Sequence, residues 1–105
     1  MKVLVVGKPN VKGLFNWPSE HDIIFSSPEE ALITYSIEKP GMVLVFAEHE
    51  SNLHQEANEA LADIKLSAPS EVKIYRLGFL KPKEISGEKY LRLPLKLSDD
   101  FLSTL

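Results

Sequence analysis

The sequence predicts an α/β fold, a doubly wound five-stranded parallel sheet with helices on both faces. Three observations predict it. Residues 26–46 read as a helix that hands over directly to a strand, which is half of a β-α-β unit. Two apolar runs, residues 3–6 and 42–46, show no polar alternation, the pattern of strands covered on both faces. Strand-like and helix-like stretches then alternate along the chain, as a parallel sheet with crossover helices requires.

Each element has its own signal. KVLVVG, residues 2–7, reads as a buried first strand ending on glycine. Residues 8–20 hold two prolines, a glycine and two asparagines, which leaves room for a short helix over residues 11–16 at most. Residues 22–25 are a second strand. Ser27 then stands as an N-cap with Pro28 at the first helical position and Glu30 at the third, a capping box. Ala31, Leu32, Tyr35 and Ser36 give that helix a small, apolar face, and Pro40-Gly41 stops it, with glycine supplying the turn. Residues 42–46 form the third strand. Leu53, Ala57, Ala60, Leu61 and Ile64 fall on one face of an amphipathic helix over residues 51–66. Residues 71–77 make a fourth strand of mixed polarity, residues 79–88 a loop, and residues 89–93 a fifth strand. Ser98 opens a last helix that carries Phe101, Leu102 and Leu105.

In flavodoxin-like sheets the strand order is 2-1-3-4-5, and ligands sit at the carboxyl ends of the strands near the switch point. Here those are the loops of residues 7–13 and 47–52. At 105 residues the chain is expected to be a single domain, residues 1–105. With 44% hydrophobic and 26% charged residues it has the composition of an ordinary globular protein. A net charge of −3 gives no basic face for nucleic acid. The absence of cysteine excludes disulfides and thiolate chemistry. No apolar run approaches the roughly 18 residues of a membrane span, and no signal-peptide pattern opens the sequence. A cytoplasmic location without membrane contact is the expectation.

Three segments, KVLVVGKP, SSPEEALITYSIEKPGMVLVF and KYLRLPL, resemble in their order and spacing a response-regulator receiver domain, and the resemblance covers nearly the whole chain. It implies a flavodoxin-like sheet with a shortened first helix and a shortened or missing fourth. It also locates the family's phosphorylation pocket. The acidic pair that binds Mg²⁺ after strand 1 is replaced by Gly7 and Lys8. The phosphate-accepting aspartate ending strand 3 is replaced by Phe46, or by Ala47 in a register one residue later. Arg76 stands for the threonine or serine ending strand 4, and Leu93 for the lysine before proline. Carboxylates for a metal, the nucleophile and the charge-stabilising lysine are all missing from those positions. Tyr90, at the position of the family's aromatic switch, and Pro94 are kept.

The resemblance therefore implies a pseudo-receiver: a non-enzymatic, phosphorylation-independent protein-interaction module in signal transduction, with no catalytic residue, cofactor or metal. By the same resemblance the interaction face comprises Tyr75, Phe79, Tyr90, Arg92 and Phe101. The partner would be another protein or another domain of the same longer chain, and a homodimer is allowed. An alternative of a different class is a small flavodoxin-like structural subunit of a larger complex. The small subunit of rotary ATPases has a similar size, opening strand and P-E-E-A helix.

Two further motifs fail on chemistry. GKPNVKGLFN, residues 7–16, is similar to the phosphate loop of small GTP-binding proteins, but Lys12-Gly13 are transposed and Leu14 replaces the hydroxyl that Mg²⁺ requires. In HESNLH, residues 49–54, the histidines are five apart, about 140° around a helix, and do not share a metal easily.

Overall fold

The apolar runs become strands. In a computed structural model of the chain, which describes residues 2–8, 21–47, 55–78 and 89–92, five strands form: β1 (Lys2–Val6), β2 (Asp22–Ser26), β3 (Met42–Phe46), β4 (Lys73–Gly78) and β5 (Tyr90–Arg92). All pairings are parallel and the order is β2-β1-β3-β4-β5, a flavodoxin-like sheet. Two helices are described, α1 (Ala31–Glu38) and α2 (Gln55–Ser67).

The steps from β2 to β3 and from β3 to β4 run in the same direction across the sheet. Right-handed crossovers therefore place α1 and α2 on the same face. The core agrees: Leu4, Val6, Val43 and Val45 pack with Ala31 and Tyr35 of α1 and with Ala57, Ala60, Leu61 and Ile64 of α2. Alternate residues of the same strands, Val3, Val5, Met42 and Leu44, point to the opposite face and cluster with Tyr75 and Leu77. That face is fully buried as well, although neither described helix contributes to its cluster. Burial on both faces explains why β1 and β3 are apolar at every position between Val3 and Val6 and between Met42 and Val45. The expected first and last helices, and the shortened connections around them, lie outside the described residues.

The entry to α1 differs from the expected capping box. Pro28–Glu30 form a 3-10 turn, and the Ser27 side chain caps nothing. Its carbonyl accepts instead, from the Glu30 N–H at 3.2 Å. The neighbouring buried hydroxyl of Ser26 donates to the same Ser27 carbonyl at 2.9 Å and lies 3.3 Å from Thr34 Oγ1. Proline in the first turn fixes the chain into tight 3-10 geometry, and Ser26, not Ser27, supplies the side-chain bond. Ala31 and Tyr35 are buried as expected. Leu32 and Ser36 are not, because α2 covers only one flank of the helix.

The exit of α1 also differs. Lys39, not Gly41, takes the left-handed conformation, with φ 48° and ψ 59°, and its N–H donates to the Tyr35 carbonyl at 2.9 Å. That is the closing bond of a helix whose terminal residue reverses hand. A side chain with a Cβ costs about 1 kcal/mol or more in this region. Gly41 instead joins the sheet: its N–H donates to the Lys2 carbonyl and its carbonyl accepts from Lys73, both at 3.1 Å. Lys2 and Glu38 form an ion pair of 3.1 Å over the same corner, exposed enough to contribute little. Lys39→Gly is accordingly expected to raise stability by about 1 kcal/mol, seen as a higher urea midpoint with an unchanged slope. A lower midpoint would show that the left-handed turn carries no strain.

Candidate functional site

The carboxyl ends of β1, β3 and β4 meet at the switch point, where β1 is followed on one side by β2 and on the other by β3. This is the position that open α/β sheets use for ligands. Four of the six expected pocket positions come together here. Gly7 leaves β1 with its N–H on the Ser26 carbonyl at 3.1 Å, and Lys8 follows it, exposed. Phe46 and Ala47 end β3 but turn to opposite faces: Phe46 packs against the Val3–Leu44 cluster, and Ala47 is fully buried on the helix side. The residue at the pocket is therefore Ala47. Its N–H donates to the Leu77 carbonyl at 3.1 Å. Leu93 lies outside the described residues.

Arg76 is the fourth. The mixed polarity of its strand predicts less uniform burial, and exposed Lys73 behaves so. Arg76 does not, being 7% exposed. Its Nη1 donates to the Ala47 carbonyl at 3.0 Å and to Oδ1 of Asn58 in the first turns of α2. Its backbone N–H donates to the Lys89 carbonyl at 2.9 Å, which sets the entry to β5. One residue thus ties β4 to the end of β3, to α2 and to β5. A buried cation has to be hydrogen-bonded, and the polar groups nearest to it in the sheet end are those it uses. Asn58 is the partner that sequence reasoning missed. Its signal was faint: a polar residue between Ala57 and Ala60 on the buried side of an amphipathic helix.

A second feature absent from the sequence reading lies beside it. The Glu56 carboxyl, on the first turn of α2, titrates above its ordinary value because Glu29 hydrogen-bonds it. The like charges of Glu29 and Glu59 push in the same direction, and Lys8 pulls it back. Glu29, Glu56, Glu59 and Asp63 line a shallow cleft of about 390 Å³ between the 3-10 turn and α2. Among the described residues no three acidic or histidine side chains converge as metal ligands. Another cleft, about 590 Å³ and lined by Tyr35, Lys39, Pro40 and Val72, lies at the opposite, amino-terminal end of the sheet. That cleft is also lined by charged groups, Lys39 and Glu71, but open α/β sheets place ligands at the switch-point end.

The expected contact face is only partly described. Tyr75 is 8% exposed and its ring belongs to the core cluster, with Lys89 Nζ 5.4 Å from the ring centroid. Its ring supplies packing. Tyr90 is half-buried in β5, and Arg92 ends that strand. Phe79 and Phe101, like the histidines of residues 49–54, lie outside the described residues. No helix among the described residues is long and apolar enough to cross a membrane.

Compared with known proteins, the chain matches no protein-family model and no curated protein.

The acidic pair makes a prediction with a definite sign. A carboxyl whose folded titration point is raised binds a proton in the folded state before the unfolded chain does. It stabilises at low pH and loses that contribution as pH rises through the raised value. In wild type, stability should therefore decline slightly as pH rises just above the ordinary 4.5 of a glutamate. Glu56→Gln should remove this decline and leave neutral-pH stability equal or higher, measured as urea midpoints across that window. A steeper decline in the variant would contradict the assignment.

Proposed function

We propose that this chain is a pseudo-receiver, a non-enzymatic module that binds a protein partner without phosphorylation. The observation that carries the reading is the Arg76 guanidinium bridging the Ala47 carbonyl and Asn58. In the resemblance, phosphate and metal would meet at the ends of strands 1, 3 and 4. Here Gly7, Lys8, Ala47 and Arg76 occupy those ends. Ala47 offers no nucleophile, and Arg76 carries five N–H donors and no acceptor. A side chain of donors alone serves neither as general base nor as metal ligand.

The physical consequence is a link that is always made. A guanidinium of constant charge joins β3, β4 and α2 with nothing added. The surface around β4 and β5 is then held in one state, and partner choice falls to the groups there, with half-buried Tyr90 among them.

The test is an amide NMR titration with Mg²⁺ and beryllium fluoride, a phosphoryl mimic for carboxylates. No saturable shifts are expected at Gly7, Lys8, Phe46, Ala47 or Arg76. Saturable shifts confined to those residues would mean that a carboxylate near the pocket still takes up a phosphoryl group, and the reading would fall.

A further inference from the structure

The outer side of α1 is apolar where a helix facing water should be polar. Ile33 and Ile37 are 65% and 72% exposed, one turn apart on the same ridge, and Leu32 beside them is 38% exposed. Nothing described packs on this ridge, and buried Ala31 and Tyr35 show that the opposite side of the helix already meets the sheet. Isolated exposed apolar residues are ordinary, but three on an eight-residue helix form a patch, and patches mark interaction surfaces.

The ridge borders the acidic cleft directly. Leu32 and Ile33 line that cleft together with Glu29, Glu56, Glu59 and Asp63, and among the described residues no lysine or arginine lines it. Four carboxylates lining one cleft concentrate negative charge there, and the Glu29 hydrogen bond and charge hold the Glu56 carboxyl above its ordinary value. Lys8, two residues past β1, pulls the Glu56 carboxyl the other way. A partner that brings positive charge to the cleft and apolar side chains to the ridge would relieve both conditions together.

We propose that the α1–α2 face of this chain docks a basic amphipathic segment of another protein, with lysine or arginine in the cleft of Glu29, Glu56, Glu59 and Asp63 and apolar residues on Leu32, Ile33 and Ile37. A second copy of the chain does not meet this requirement, because a symmetric contact brings the same acidic cleft against itself. The inference does not depend on the pseudo-receiver reading, since these residues lie away from the expected β4–β5 contact face.

The test uses a leucine–lysine peptide of about 18 residues, five helical turns, and a leucine–glutamate peptide of the same pattern. Titrated into the ¹⁵N-labelled chain, the leucine–lysine peptide should give saturable shifts concentrated in residues 28–37 and 55–63, and the leucine–glutamate peptide none. The pair Ile33→Gln and Ile37→Gln, which keeps good helix formers at exposed sites, should weaken binding about tenfold or more. The pair Glu56→Gln and Glu59→Gln should weaken it several-fold and flatten its salt dependence. Amide spectra of both pairs would verify that the fold is retained. The proposal is overturned by absence of saturable binding, by binding that survives both pairs, or by shifts centred elsewhere. It is also overturned if sedimentation shows a dimer that the isoleucine pair dissolves, which would make a second copy the occupant.

Discussion

A guanidinium that is almost wholly buried must find hydrogen-bond acceptors inside the protein, and the carboxyl end of this sheet is arranged around that requirement. Arg76 sits in a strand between buried Tyr75 and Leu77, where its neighbours are apolar and its charge is unwelcome. It reaches back across the sheet end to the Ala47 carbonyl and on to Asn58 of α2. Because Ala47 is anchored to Leu77 through its own N–H, both sides of the β3–β4 junction are tied, one by backbone and one by side chain. The position of α2 is then set twice. Ala57, Ala60, Leu61 and Ile64 bury its apolar face, and Asn58 fixes its first turns.

This arrangement gives the two ends of the sheet different characters. At the amino-terminal end Lys39 reverses the chain in a left-handed turn and Gly41 enters the sheet between Lys2 and Lys73, all by backbone bonds. At the carboxyl end the backbone bonds of Gly7 and Ala47 are joined by those of a charged side chain, the Arg76 guanidinium. Charged groups positioned by a rigid sheet are where binding resides in such folds. The acidic pair of Glu29 and Glu56 lies on the same side, held by the 3-10 turn before α1 and by the first turn of α2.

Much of the fold was legible in the sequence because the signals were redundant. Residues 3–6 and 42–45 are apolar at every position, which only two-sided burial explains, and α2 declares its face through Ala57, Ala60, Leu61 and Ile64. What failed were details decided by competition among near-equal local options. Ser27 and Ser26 are adjacent hydroxyls at a helix start, and sequence alone does not say which one bonds. Lys39 and Gly41 both neighbour Pro40, and glycine is the usual choice for a left-handed residue, yet Gly41 was needed as a strand-like residue against Lys2. The site was less legible still. Arg76 read only as a polar residue of a mixed strand and as the stand-in for a threonine or serine, since burial of a cation depends on an acceptor 18 residues earlier in the chain. Glu29 and Glu56 come from different elements, and nothing in either local pattern announces that they meet.

The account stands on the coupling between Arg76 and Asn58, and a double-mutant cycle measures it. Arg76→Met, Asn58→Ala and the double variant would be compared with wild type by urea unfolding. If the guanidinium depends on Asn58, the two losses should overlap, leaving an interaction energy of about 1 kcal/mol or more. Losses that add to within about 0.5 kcal/mol would mean that the two residues act independently. The bridge between β4 and α2 would then not be what holds the sheet end.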